Sequence, residues 1–147
     1  METIPFAGTT EIIFISLSEG DVLLESIETA CADHDILSGI ILSGVAALKS
    51  LSVHYIKHNN YPPDDIVHTV PLPMEMSTIS GIIADGIPHV HIGAIHRKDQ
   101  SYGGHLEEGT IVAYRGELAI MKCIDADISR IKNSHGIPIL RKRTSSC

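Results

Sequence analysis

Two apolar runs meet at Asp85 and Gly86: MEMSTISGIIA ends at this dipeptide, and HVHIGAIH begins two residues beyond it. Asp-Gly between alternating segments favours a two-residue turn whose positive φ values match the twist of paired strands. The residues on either side must therefore run antiparallel as neighbours, which commits the chain to an antiparallel sheet. The other segments supply strands to extend it. EIIFISL (11–17) is short, apolar and rich in β-branched residues, GIILSGVAAL (39–48) and SLSVHYI (50–56) read as two successive strands, and GTIVAYRGELAIMKCI (109–124) reads as a long one with a bulge at Gly116. With no Trp, two Phe and four Tyr, the core has to be built from Ile, Val, Leu and Ala, and the first two favour sheet.

One segment has a different period. In residues 18–34, Val22, Leu23, Ile27, Ala30 and Cys31 recur at helical spacing, while Glu25, Glu28, Thr29 and Asp33 occupy the other side. Ser18, Glu19 and Asp21 are expected to cap its start and complement its dipole. Residues 58–73 hold four prolines and two asparagines and predict a long loop, and RKDQSYGG (97–104) predicts a turn. The fold class expected is α+β, a mostly antiparallel β-sheet with one principal helix, in a single domain.

Charge and cysteine usage narrow the function. A formal charge of -7 opposes long-range attraction to phosphate backbones. Arg141, Lys142 and Arg143 stand apart in a C-terminal stretch that reads as an unstructured, solvated tail able to touch an acidic partner. Cys31, Cys123 and Cys147 are odd in number, with no zinc or redox spacing among them, which fits a reduced cytoplasmic location. The N-terminus carries no secretory signature, no apolar run is long enough to span a bilayer, and no membrane role is expected.

Nine histidines are present, and four fall between residues 89 and 105. Strand alternation puts His89 and His91 on one face with Cα atoms about 6.6 Å apart, near enough to converge on one ion. His96 has the opposite parity and points away. His105 follows Gly103 and Gly104, where a missing Cβ allows a sharp turn and close approach of another segment. Three neutral imidazoles without cysteine suit Zn²⁺ first, with Ni²⁺, Cu²⁺ or Fe²⁺ as substitutes, and leave a position open to water or substrate. Glu107 and Glu108 are candidate partners or general bases, with Glu108 as the catalytic candidate. The same spacing also fits half-buried strand histidines bonded to their neighbours.

GDVLLESIETACADHDILSGIILSGVAAL, SGIIADGIPHVHIGA and YGGHLEEGTIV together resemble the plants-and-prokaryotes-conserved (PPC) domain in its prokaryotic form. The resemblance spans residues 11–124. Its specific parts are P-H-x-H and G-G-H-L-x-E-G-T, matched at Pro88, His89, His91, Gly103, Gly104, His105, Leu106, Glu108, Gly109 and Thr110. It implies a PPC-like domain over residues 11–135, after an extension at 1–10 and before a basic flexible tail at 136–147. It also implies a homotrimer, with His89, His91 and His105 able to hold zinc. Family members are commonly described as DNA-binding because plant forms carry an Arg-Gly-Arg-Pro minor-groove segment, which this chain lacks. The plant forms in turn lack the histidine pattern.

Other motifs carry less. GVAALKS (44–50) ends like a phosphate loop, but Leu48 stands where glycine must precede the lysine. A cupin reading of H-x-H needs a Glu four or five residues after the second His, where Ile95 and His96 stand. His34, His54, His58, His68 and His135 have no partner at metal spacing and read as surface or loop residues. Three functions stay open: a trimeric metal-binding domain with a small-molecule ligand or hydrolase- or lyase-type chemistry, a DNA-associated regulator, and a structural assembly domain.

Overall fold

A computed structural model describes residues 1–143, so the last four positions of the expected tail, Cys147 included, lie outside the described residues. The chain runs β1 (Thr10–Ser18), α1 (Leu23–Asp33), β2 (Ser38–Ile56), β3 (Asp65–Val70), β4 (Met74–Ala84), β5 (Ile87–Arg97), β6 (Gln100–Leu106) and β7 (Ile111–Cys123). A hairpin, β8 (Ile128–Lys132) and β9 (Pro138–Lys142), follows. The expected α+β architecture is present: every strand pairing is antiparallel, and there is one α-helix among the described residues.

The main sheet has the order β1-β7-β2-β4-β5-β6, with β3 also on β2. β6 pairs back onto the end of β2, so β2, β4, β5 and β6 close a ring. Two expectations give way here. The strands expected at 39–48 and 50–56 are one 19-residue strand, because Leu42 and Lys49 are absorbed as register shifts against β7 and no turn interrupts it. GVAALKS lies inside this strand, which removes the phosphate-loop reading. The Pro-rich segment is a loop only at its ends: β3 pairs Val70 through Asp65 with Leu51 through Ile56, since its prolines lie outside residues 65–70 and leave the ladder donors intact.

The Asp85–Gly86 turn forms as expected, with φ of 56° and 76° and β4 and β5 in register on either side. RKDQSYGG contains a shorter turn than expected, because Gly103 and Gly104 lie within β6. The expected bulge is found in β7 beside Gly116, where residues 113–115 stand against Ala47 between the pairs Ala46↔Gly116 and Leu48↔Val112.

α1 packs on one face of the sheet. Leu23, Ile27 and Cys31 are buried among Ile41, Val90 and Ile120, and a fully buried Leu or Ile contributes about 1.5–3 kcal/mol by leaving water. The expected side-chain cap does not form. The N-cap is Val22, the Leu23 N–H donates to the Thr110 carbonyl at 2.8 Å, and the Asp21 carboxylate accepts from the Ser18 N–H. Tertiary contact to the β6–β7 connection thus replaces a local cap.

The other face carries no helix. Ile12, Met121, Ile40, Ile82 and His89 form one cross-strand row over five strands, and Phe14, 81% exposed, flanks it on β1. The C-terminal segment also departs from expectation. Residues 138–142 are strand, Arg141 pairs with Glu2, and Arg143 pairs with Asp85, because β8 offers a partner that a short basic stretch does not announce.

Candidate metal centre

β5 points His89 and His91 to the open face, as strand parity requires. β6 pairs with β5 in a register that sets His105 directly opposite His91. The ring centroids of His89 lie 5.5 Å from His91 and 4.8 Å from His105, with His91 and His105 5.6 Å apart. One nitrogen from each ring lies within 4.8 Å of the other two. The three histidines singled out in the sequence are therefore brought together. Gly104 assists through close approach, since a Cβ there would sit 2.5 Å from the His54 carbonyl oxygen.

A fourth imidazole belongs to the cluster and was missed. His54, read as a surface or loop residue, lies in β2 opposite His105, with rings stacked at 4.3 Å. Its Nδ1 is hydrogen-bonded to Glu107 Oε1, and its Nε2 lies 4.0 Å from an Asp65 oxygen. His54, His105 and Glu107 form a second group whose donor atoms lie within 4.8 Å of one another. The pairing joins residues 51 positions apart, so no local spacing could announce it; the alternation of SLSVHYI put His54 on a face without saying what would lie beside it. Glu108 is exposed on the turn before β7 and is in neither group.

The remaining histidines lie elsewhere. His96 turns away, with Nδ1 2.6 Å from the Pro73 carbonyl oxygen. His34, His58 and His68 are exposed, as expected. His135 is exposed too, but it stacks on Tyr61 at 4.0 Å and lines a cleft beside the cluster.

Burial, then the neighbouring charges of His54, His89 and His91, push the His105 pKa down to about 4, with Glu107 pulling the other way. His89 is lowered by burial first, then by Arg130, His91 and His54. Neighbouring imidazoles thus add to burial in opposing protonation of His105 and His89, which favours free lone pairs on these two rings. Neutral imidazoles gathered without a thiolate suit a borderline divalent cation such as zinc. His89, His91 and His105 thus fit the metal that the family resemblance implies.

The cluster forms one end of a cleft of about 900 Å³. Tyr55, Ile56, Ile87 and Pro88 line it from the sheet side, and Ile137 and Pro138 from the C-terminal hairpin, with Arg130 among the lining groups. Cys31 is buried, which pushes its thiol up to about 11, and Cys123 is raised by the same effect, so neither favours the thiolate that a metal or disulfide exchange needs.

Solved structures share this fold. A plant- and prokaryote-conserved (PPC) protein from Pyrococcus horikoshii is 23% identical, with a TM-score of 0.80, 98% of this chain covered and 99% of that one. A metal-containing protein from Archaeoglobus fulgidus is 18% identical, with a TM-score of 0.80 and coverage of 97% and 100%. A candidate DNA-binding protein from Bacteroides thetaiotaomicron is 23% identical, with a TM-score of 0.76 and coverage of 95% and 96%. No curated protein sequence matches significantly. Residues 5–124 match the family of the Plants and Prokaryotes Conserved (PCC) domain, and with most of its length inside that match the chain belongs to this family.

Proposed function

We propose that this chain is a zinc-binding PPC protein that assembles as a homotrimer in the cytoplasm, with His89, His91 and His105 as ligands and a position left open for water or a small ligand. The observation that carries this reading is the convergence of three imidazoles from β5 and β6, with one nitrogen of each within 4.8 Å of the other two and with burial opposing protonation of His89 and His105. That a structurally similar protein from Archaeoglobus fulgidus is described as metal-containing supports it.

A zinc ion held there would supply a Lewis-acid position of the kind that hydrolases and lyases use. The chain's own residues do the rest. His54 stacks on His105 and restricts its ring, while Glu107 accepts from His54 Nδ1–H and orients it. Glu107 is therefore a better candidate than Glu108 for handling a proton beside the cluster.

The homotrimer rests on the family resemblance and on the open face. A contiguous apolar row runs from Ile12 to Ile82, with the exposed Phe14 beside it, and it leads directly to His89, which suits a self-complementary contact. Symmetric burial of that face would bring histidines near a subunit boundary.

The DNA-associated reading is weaker. Beside a net charge of -7, two of the three basic residues near the C-terminus are engaged by Glu2 and Asp85. The assembly-domain reading needs no open ligand position.

Elemental analysis of protein purified without a metal-affinity tag tests the proposal. Wild type should carry about one zinc per chain, and the His89→Ala, His91→Ala double variant none. No metal in either protein would overturn the metal reading and return the histidines to ordinary sheet residues. Loss of the oligomer, and nothing else, on chelation would favour the assembly role.

A further inference from the structure

The β8–β9 hairpin lies beyond the family match, which ends at residue 124, yet it builds one wall of the cleft over the histidines. It is held firmly. Arg130 donates to the carbonyls of Ile82 and Ile87 at 2.6 and 2.8 Å, straddling the β4–β5 turn. Asp85 in that turn accepts from Ser129 Oγ, the Arg130 N–H and Arg143. The stacked rings of Tyr61 and His135, 12° from parallel, tie the β2–β3 loop to the hairpin turn. A wall fixed at so many points keeps one shape, and a preformed concavity is what a small-molecule site requires.

The chemistry inside is specific. Ile56 and Ile87 are 61% and 62% exposed, and both line the cleft together with Pro63, Pro88, Ile137 and Pro138. Against these walls stands Arg130, half-buried, whose guanidinium bonds are all to neutral carbonyls and which makes no ion pair among the described residues. Asp85, its nearest acid, is already engaged by Arg143 and Ser129. Among the described residues the acid that lines the cleft is Asp65, and it lies on the His54 side, 4.0 Å from Nε2. The cleft therefore offers an apolar body, a guanidinium that makes no ion pair among the described residues and a row of imidazoles that can donate N–H bonds.

We propose that this cleft binds a small carboxylate with a compact apolar body, its head toward Arg130 and the imidazoles and its body against the isoleucine and proline walls. A volume of about 900 Å³ admits a ligand of drug-like size. In a protein of charge -7 an anion gains nothing from the general field, so its binding has to be local. The proposal goes beyond the metal reading and does not require an ion to be present.

Calorimetric titration of the full-length protein with octanoate, octanol and acetate tests it, on chelator-stripped protein and on zinc-loaded protein whose zinc content is measured separately. Octanoate should bind once per chain in both states, with octanol and acetate each at least about tenfold weaker, since each lacks one half of the recognition. Ile87→Asp places a carboxylate on a wall position that is 62% exposed, and it should weaken octanoate at least about tenfold. Arg130→Gln should do the same for octanoate and leave octanol unchanged; because Arg130 also holds the hairpin, amide exchange of Ile131 and Ile139 reports whether the wall stays in place. Equal binding of octanol and octanoate, or indifference to Ile87→Asp, would overturn the proposal. So would absence of octanoate binding, whether from an empty cleft or from a second copy of the chain seated in it, which protection of the Ile87 and Ile137 amides on association would reveal. Octanoate binding to protein that never takes up zinc leaves this proposal standing and removes only the metal one, whereas zinc-loaded protein that ignores octanoate does the reverse.

Discussion

His105 is the residue on which the cluster turns, because burial and three neighbouring imidazoles all oppose its proton. Its pKa falls from 6.5 to about 4 on folding, so between those values the unfolded chain binds a proton that the folded chain refuses. Stability from this residue is fully present above pH 6.5 and is lost as pH falls toward 4. His89, lowered in the same direction, adds to the slope. Metal-stripped protein should therefore show a melting temperature that drops steadily between pH 6.5 and 4, and His105→Gln should flatten part of that slope; a slope unchanged in the variant would place the acid sensitivity elsewhere. His54 acts through packing and orientation. His54→Ala removes both the stacking partner of His105 and the bond to Glu107, and it should lower metal affinity by about 10–100-fold while leaving zinc detectable at saturation.

The pairing of β2 with β6 is the element-level decision that makes the site, since it closes the ring and sets His54 beside His105. It depends on Gly104, where added bulk meets the backbone carbonyl of His54 and cannot be relieved by turning a side chain. Gly104→Ala should cost about 1–3 kcal/mol in urea unfolding and reduce zinc content together with stability. A variant as stable as wild type would mean that the ring tolerates opening at this edge. The helix shows the same dependence on partners. Its interior followed from the 3.6-residue recurrence of Leu23, Ile27 and Cys31, but its first N–H, that of Leu23, is satisfied by the Thr110 carbonyl of a distant connection, and the acids placed before the helix in sequence do not cap it.

At the scale of the whole molecule, one face is covered by the helix and the other is bare apart from the C-terminal hairpin at its histidine end. The row from Ile12 to His89 lies on the bare face, with Phe14 at its edge. Phe14→Glu puts a charge where a symmetric interface would bury it and should shift the protein toward monomer in sedimentation velocity, without lowering the melting temperature of the isolated chain. An unchanged oligomer would locate the interface elsewhere, and a wild-type monomer would overturn the trimer. Among the described residues no helix is long and apolar enough to cross a membrane.

By itself the sequence determined what short-range periodicity and turn chemistry control. Asp85 and Gly86 dictated an antiparallel hairpin, strand parity sent His89 and His91 to one face and His96 to the other, and the apolar recurrence in residues 23–33 specified a helix and its buried side. Tertiary structure decided whatever depends on which distant segment lies alongside. Residues 39–56 became one strand because β7 and β4 pair along it, β3 emerged from a Pro-rich segment because β2 offered an open edge, and His54 entered the cluster through the β2–β6 pairing. The cleft belongs to the same class, since its second wall is a hairpin anchored by Arg130 to carbonyls more than forty residues away. Periodicity says which face a side chain takes; only the register of non-local strands says what it meets there.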